Sequence, residues 1–342
     1  MIEDVWPAYN YDALLLRPRK SSIASRQDVD LSTEILPGIK LKIPIIAAPM
    51  DTVCEAKMCT KMYELGGLGI LHRFADIGYL RRQMKELSVE VPVDRRAFAI
   101  GINEEDHEDR PGYKTILEVL AEYAGIVCLD VNIGHHDQTM KVIHYVRDKY
   151  PWLKVIAGNV STGDGARDLI NAGAQCIRAT NGGGSACTTL NVTGVGIPTA
   201  TSLKECVERL ESAPHGTVIS DGSHKASSSM VVALALGAGA VMIGGLLAGS
   251  SCVPEHVFYT DEKGYRRAKY FGMASKEAQH GKLKRGTAPE GISMSSPVRG
   301  KTRDIIEELA GGIRSGMSLC NCRNLSQLQA YGRHPENWVR CK

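Results

Sequence analysis

The sequence predicts a closed barrel of eight parallel strands ringed by helices, the (β/α)8 or TIM-barrel fold, as one domain over residues 1–342. Three observations carry this. Eight short apolar runs recur at fairly even spacing, segments of helical periodicity lie between them, and no Ser/Pro linker or solenoid-length repeat divides the chain.

The runs are PIIAAP (44–49), GLGIL (67–71), AFAIGI (97–102), GIVCLDV (125–131), LKVIAGNV (153–160), AQCIRAT (174–180), GTVISDG (216–222) and GAVMIGG (239–245). Their length and their β-branched or small apolar content suit buried strands. Between them, ILEVLAEYAG, ARDLINAG and MVVALALGAG have helical spacing and end in Gly, which stops a helix by accepting a left-handed conformation. Strands alternating with helices argue for a parallel sheet, and eight such units close a barrel. An open doubly wound sheet is the alternative; no G-x-G-x-x-G follows the first strand to favour it.

Hydrophobic content of 43% and charged content of 23% are those of an ordinary globular protein. The 41 basic and 38 acidic residues are interleaved, which gives no nucleic-acid or membrane surface. No run of about 18 apolar residues occurs, and the opening MIEDVWPAYN lacks a basic-then-apolar leader, so a cytoplasmic location is expected. Ten cysteines are too few for a disulfide scaffold; Cys128 and Cys176 fall inside strand-like runs and read as core thiols. Cys320-x-Cys322 has no second ligand pair nearby and is assigned to the core rather than to a metal.

Barrel chemistry lies just past the carboxyl ends of the strands, with phosphate bound after the seventh and eighth. The seventh run ends in Asp221-Gly222-Ser223 and the eighth in Gly244-Gly245-Leu246-Leu247-Ala248-Gly249. Glycines there let backbone N–H groups approach phosphate oxygens; the alternative is that they only make tight turns. After the sixth run comes NGGGSACTTLNVTGVG (181–196), which sets Cys187 on the same face. Its glycines permit close approach of a thiol, Ser185 offers a phosphate donor, and Thr188 or Thr189 offers a proton relay. From composition alone the loop is either a nucleophile site or an exposed turn with an incidental thiol.

GGGSACTT-x3-TGVG resembles the GPGSxCTT-x3-TGVG loop of the IMP dehydrogenase/GMP reductase family. The resemblance extends through LLLRPRKSSIASRQDVDLST, PIIAAPMDTV, GGLGILHRF, VCLDV, VIAGNVSTG, ISDGS, VMIGGLLAGS, YFGMAS, APEG and GGIRSGM. It implies a TIM barrel, usually a homotetramer, in which a cysteine attacks carbon 2 of a purine nucleoside monophosphate and a nicotinamide cofactor exchanges hydride there. Cys187, Thr189 and Glu290 are the implied catalytic residues. Ser185, Asp221, Gly222, Ser223, Gly244, Gly245, Tyr270, Gly272, Met273 and Gly291 are the implied nucleotide contacts. For NADPH the implied set is Ser25, Arg26, Arg73, Asp130, Val131, Asn132, Asn181 and Gly182, with Ser25 and Arg26 reaching a neighbouring subunit's cofactor. A monovalent cation, potassium, held by carbonyls of Gly182, Gly184 and Cys187 is a further family feature.

Within the family, three features bear on the reaction. No regulatory CBS modules interrupt the barrel, and the catalytic flap expected at about 274–300 begins with ASKEAQHGKLKRGTAP, only 16 residues between Met273 and Glu290. It lacks the Arg-Tyr pair with which the dehydrogenases activate water, and the cysteine is common to both activities. The expectation is therefore NADPH-dependent reductive deamination of GMP or a related nucleotide. Competing readings are an IMP dehydrogenase, a catalytically silent nucleotide-binding homologue and, more distantly, a flavin-binding barrel. The chain departs from the family pattern at GGG for GPG, Leu190 for Arg, DVNIGHH with His135 and His136, Thr287 for Arg, and HKASSS after ISDGS.

Overall fold

The computed structural model describes residues 8–107, 110–180, 182–211, 216–272, 275 and 288–341. All eight runs become strands: β1 Ile45–Ala47, β2 Leu68–Leu71, β3 Ala97–Ile100, β4 Ile126–Leu129, β5 Lys154–Val160, β6 Cys176–Ala179, β7 Thr217–Asp221 and β8 Ala240–Ile243. They pair in chain order, every neighbour parallel, and β8 returns to β1 to close the barrel. The connections carry α1 (Ala56–Glu64), α2 (Ile77–Glu90), α3 (Tyr113–Leu120), α4 (Asp137–Lys149), α5 (Gly163–Asn171), the short α6 (Thr189–Thr193), α7 (Thr199–Leu210) and α8 (Ser227–Ala235). After β8 come α9 (Thr302–Leu319) and α10 (Leu325–Gly332).

The two-residue period of a strand divides the core. Ile46, Ile70, Cys128, Ile156, Cys176 and Ile219 point into the barrel, while Ile45, Leu71, Val127, Val155, Ile177 and Val218 join the layer beneath the helices. The same period continues upward. Two residues past Cys128 is Asp130, two past Cys176 is Arg178 and two past Ile219 is Asp221, so a charged layer caps the apolar ones at the carboxyl end.

At the opposite end a hairpin, Thr33–Leu36 with Ile39–Leu41, stoppers the barrel. Its Ile35, Leu36, Ile39 and Leu41 belong to the interior cluster, and Thr33 Oγ1 donates to the carbonyl of Gly239 at 2.8 Å. The GGIRSGM motif has a packing role. A Cβ on Gly316 would fall 2.8 Å from Val231 Cγ2, and one on Gly312 would fall 2.1 Å from Ser227 Oγ, so α9 seats on α8 only because both positions are bare.

A three-stranded antiparallel sheet, Phe258–Thr260, Arg266–Phe271 and Ser293–Pro297, is inserted after β8. Of the span expected as a flap, 293–297 is thus a strand, and 274 and 276–287 lie outside the described residues. Cys128, Cys176, Cys320 and Cys322 are buried free thiols. Among the described residues no group of three or more His, Cys, Asp or Glu is placed to hold a metal, and no helix is long and apolar enough to cross a membrane.

Candidate active site

Three loops at the carboxyl ends of β6, β7 and β8 meet around Cys187. The nucleophile loop is stitched to the segment before the last sheet strand. Thr188 N–H donates to the Glu290 carbonyl at 2.9 Å, Ile292 N–H donates to the Ala186 carbonyl at 2.9 Å, and Cys187 stands opposite Gly291 as an antiparallel bridge. Gly272 closes the same corner, because a Cβ there would fall 2.6 Å from the Ala186 carbonyl oxygen. Cys187 N–H donates to the Gly184 carbonyl at 2.9 Å, and its Sγ lies 3.2 Å from Thr189 Oγ1.

Eight of the ten cysteines are buried; Cys187 and Cys341 are half-buried. Burial pushes the Cys128 and Cys320 thiols up to about 11 and the Cys206 thiol up to about 12, which keeps them protonated and inert. Cys187 is therefore the thiol at this face that a ligand can reach with a hydroxyl at hand. Glu290 is placed beside it by its backbone, and the recorded contact of the Thr189 hydroxyl is to sulfur rather than to the Glu290 carboxyl.

The phosphate expectation acquires a shape. Ser185 Oγ donates to Tyr270 OH at 3.3 Å, and a Cβ on Gly244 or Gly245 would fall 3.1 or 3.5 Å from that phenol oxygen. Two hydroxyls and two glycine backbones therefore converge at the carboxyl ends of β6 and β8. Gly222, at φ +84°, has its α-carbon so close to the nucleophile loop that a Cβ would fall 2.7 Å from the Gly183 carbonyl carbon. Ser223 N–H donates to the Gly183 oxygen at 2.5 Å. Thr180 and Ser223 both take positive φ, at 94° and 59°, a strained backbone that brackets the loop.

Gly245→Ala tests this cradle. The new methyl would fall 2.6 Å from Ser185 Oγ and would rotate that hydroxyl away from Tyr270. Nucleotide affinity measured by titration is expected to fall by about tenfold, roughly 1.4 kcal/mol, with an unchanged far-ultraviolet spectrum.

Asp221 and Asp130 are joined by a residue that the sequence reading missed. Arg178, buried in β6, donates through Nε and Nη2 to Asp221 Oδ2 at 3.1 and 2.7 Å and through Nη1 to Asp130 Oδ1 at 2.9 Å. Asn159 Nδ2 adds a third donor to Asp221 Oδ2 at 2.7 Å. The signal was present: a charge inside the apolar run AQCIRAT, at an inward position, needs carboxylate partners. Met50 was missed as well; its Sδ lies 2.8 Å from where a Gly244 Cβ would stand, on the wall of the cradle.

On the far side of Asp130, Arg73 reaches the Asp130 carbonyl with Nη2 at 3.1 Å and its carboxylate with Nε at 3.6 Å. His72 Nδ1 accepts from Phe74 N–H at 3.0 Å, and Nε2 faces Glu55 at 3.5 Å, which fixes the turn that carries Arg73. Arg73 Nε is buried and faces the Asp130 carboxylate beyond hydrogen-bond distance, as an ion pair. Val131 is half-buried and Asn132 exposed beside it.

Ser25 and Arg26 are not brought to this cluster. They form a 3-10 turn against α9, where Ser25 Oγ caps Gln27 N–H at 3.2 Å. His136 caps α4 by accepting from Gln138 N–H, and His135 pairs with Asp168 at 3.0 Å, so both have structural partners. Asn181, Met273 and Thr287 lie outside the described residues. Leu190 packs between Gly182 and Gly196, its Cγ 2.7 Å from a Cβ on the first and its Cδ2 2.0 Å from one on the second. The isobutyl group of Leu190 fills the space beside the α-carbons of Gly182 and Gly196, and the Gly184 carbonyl accepts from Cys187 N–H.

His224 follows the Asp221 turn, stacks on Tyr11 with ring centroids 5.3 Å apart, and holds Nε2 3.0 Å from Ser220 Oγ. Burial pushes its imidazole down from 6.5 to about 4. Between those values the folded chain binds fewer protons than the unfolded chain, so this contribution is complete above pH 6.5 and is lost as pH falls toward 4. Urea midpoints at pH 7 and pH 5 should converge in His224→Gln relative to wild type.

A sequence model of the IMP dehydrogenase / GMP reductase domain matches residues 8–337. The inosine-5′-monophosphate dehydrogenase of Borreliella burgdorferi is 30% identical over 384 residues, covering 94% of this chain and 92% of its own. GMP reductase 2 of Homo sapiens is 31% identical over 335 residues, covering 93% and 91%. The GMP reductase of Caenorhabditis elegans is 29% identical over 329 residues, covering 94% and 90%.

Proposed function

The chain belongs to the IMP dehydrogenase / GMP reductase family, and on that premise we propose that it reduces GMP, or a closely related purine nucleoside monophosphate, to IMP and ammonia with NADPH. The carrying observation is Cys187 Sγ held 3.2 Å from Thr189 Oγ1 in a loop clamped to residues 290–292. The Cys187 thiolate adds to carbon 2, forming a C–S bond. Thr189 and Glu290 deliver a proton to the exocyclic amine, the C–N bond breaks, and ammonia leaves behind a thioimidate on the enzyme. A reduced nicotinamide bound beside Asp130 would supply the hydride that carbon 2 needs, and breaking of the C–S bond would return the thiolate to Cys187. Asp221 receives ribose hydroxyls, while Ser185, Tyr270, Gly244 and Gly245 receive the phosphate. Arg73, Asp130, Val131 and Asn132 would hold the nicotinamide half.

Two features favour the reductase over the dehydrogenase. The interval between Met273 and Glu290 is short and has no Arg-Tyr pair to activate water. The alignments with reductases span 329 and 335 residues, close to the length they cover, whereas the dehydrogenase alignment stretches over 384 and so carries insertions. The dehydrogenase reading rests on its equal identity of 30%. Absorbance at 340 nm decides: loss of NADPH with GMP is expected, and NADH formation from IMP and NAD would overturn the assignment. A silent homologue would bind nucleotide and oxidise no NADPH with any purine monophosphate. The homotetramer and the cytoplasmic location belong to the same proposal.

A further inference from the structure

The buried guanidinium of Arg178 is shared between two carboxylates that the proposed function assigns to different ligands. Asp221 Oδ2 is saturated by three donors, two from Arg178 and one from Asn159, which leaves Oδ1 for a sugar hydroxyl. Asp130 Oδ1 takes the remaining edge of the fork, Nη1, at 2.9 Å. The Arg178 side chain is 6% exposed, with Asp130 and Asp221 at 15% and 14%, so water does not screen the three groups from one another. The fork is planar and rigid, and fixing one of its edges orients the others. A Cβ on Gly158 would fall 2.6 Å from Arg178 Cβ, so the side chain leaves β6 along a constrained path.

We propose that Arg178 is a positioning residue that couples the nucleotide and cofactor subsites, so that either ligand binds more tightly once the other is in place. The inference rests on the functional reading above. A ribose hydroxyl donating to Asp221 Oδ1 draws that carboxylate toward the sugar and carries the rigid fork, and Asp130 with it, to the position the second ligand needs. That ligand then no longer spends binding energy on moving the three groups. Linkage makes the effect reciprocal, with coupling expected at about fivefold or more. Lysine at 178 would keep the positive charge but place a single nitrogen where three donors now diverge, and could serve one carboxylate at a time.

The test uses IMP with NADPH, a pair between which no reaction of the proposed kind can proceed. NADPH is titrated into the whole enzyme by nicotinamide fluorescence, with and without saturating IMP, and the ratio of the two dissociation constants is read. Wild type is expected to give a ratio of about five or more, and Arg178→Lys a ratio within about twofold of one. Asp130→Asn, which weakens the same bridge from its far end, serves should the lysine variant fail to fold, and is expected to lower the ratio likewise. A wild-type ratio of one, or a variant that keeps the wild-type ratio, overturns the coupling and leaves the functional reading standing. If neither IMP nor NADPH binds wild type, the functional reading falls and the coupling with it.

Discussion

Cys187→Ala is expected to lose turnover by about 10³-fold or more while still binding nucleotide. The removed atom is the one that the proposed reaction bonds to carbon 2; the proposed cradle of Ser185, Tyr270, Gly244 and Gly245 and the proposed acceptor Asp221 do not depend on it. The backbone clamp through Ala186 and Thr188 also survives, so the loop keeps its place. NADPH oxidation and nucleotide titration on the same preparation check the two halves of the statement. Acid-quenched wild type should carry the mass of a purine nucleotide at Cys187 during turnover. Residual activity within about tenfold of wild type would remove the sulfur from the chemistry.

The second large effect belongs to Asp221→Ala, which acts on stability and binding together. It withdraws the acid that accepts two of the three recorded carboxylate bonds of Arg178, in a setting where that guanidinium is 6% exposed. Breaking a buried pair from one side costs about 3–5 kcal/mol when the remaining charge is left alone; Asp130 still accepts from Arg178 Nη1, so the loss is expected at or below the lower end of that range. Nucleotide affinity should fall by about 100-fold or more, since the proposed ribose acceptor and the carboxylate that orients Arg178 and Asn159 go at once. Asp221→Asn keeps an acceptor and should fall between the two in urea midpoint. An alanine variant as stable as wild type would show that Asp130 alone can hold Arg178.

The eight barrel strands were legible because each is a short run with no competing helical period, bounded by glycine or polar residues. The cysteine loop was legible only through the resemblance: by composition NGGGSACTT was either a nucleophile site or an exposed turn, and the ordered block GGGSACTT-x3-TGVG chose between them. Arg178, Asn159 and Met50 were missed because their importance depends on register. Only when Cys176 is known to face inward does Arg178 become a bridge rather than a charge in a strand. The hairpin at 33–41 escaped because its strands are three and four residues long, too short for a period to emerge. Leu190 departs from the family pattern as a single letter, yet its consequence, an apolar filler against Gly182, required coordinates.

The Thr33–Leu41 stopper has a consequence for traffic. With one end sealed by Ile35, Leu36, Ile39 and Leu41, the barrel, among the described residues, opens at the rim where Cys187 stands. On the proposed reading, nucleotide, dinucleotide, water and departing ammonia would share it. Spent purine would back out along the path by which its successor enters, so the pace of emptying would belong to the loops at the rim and not to the staves below.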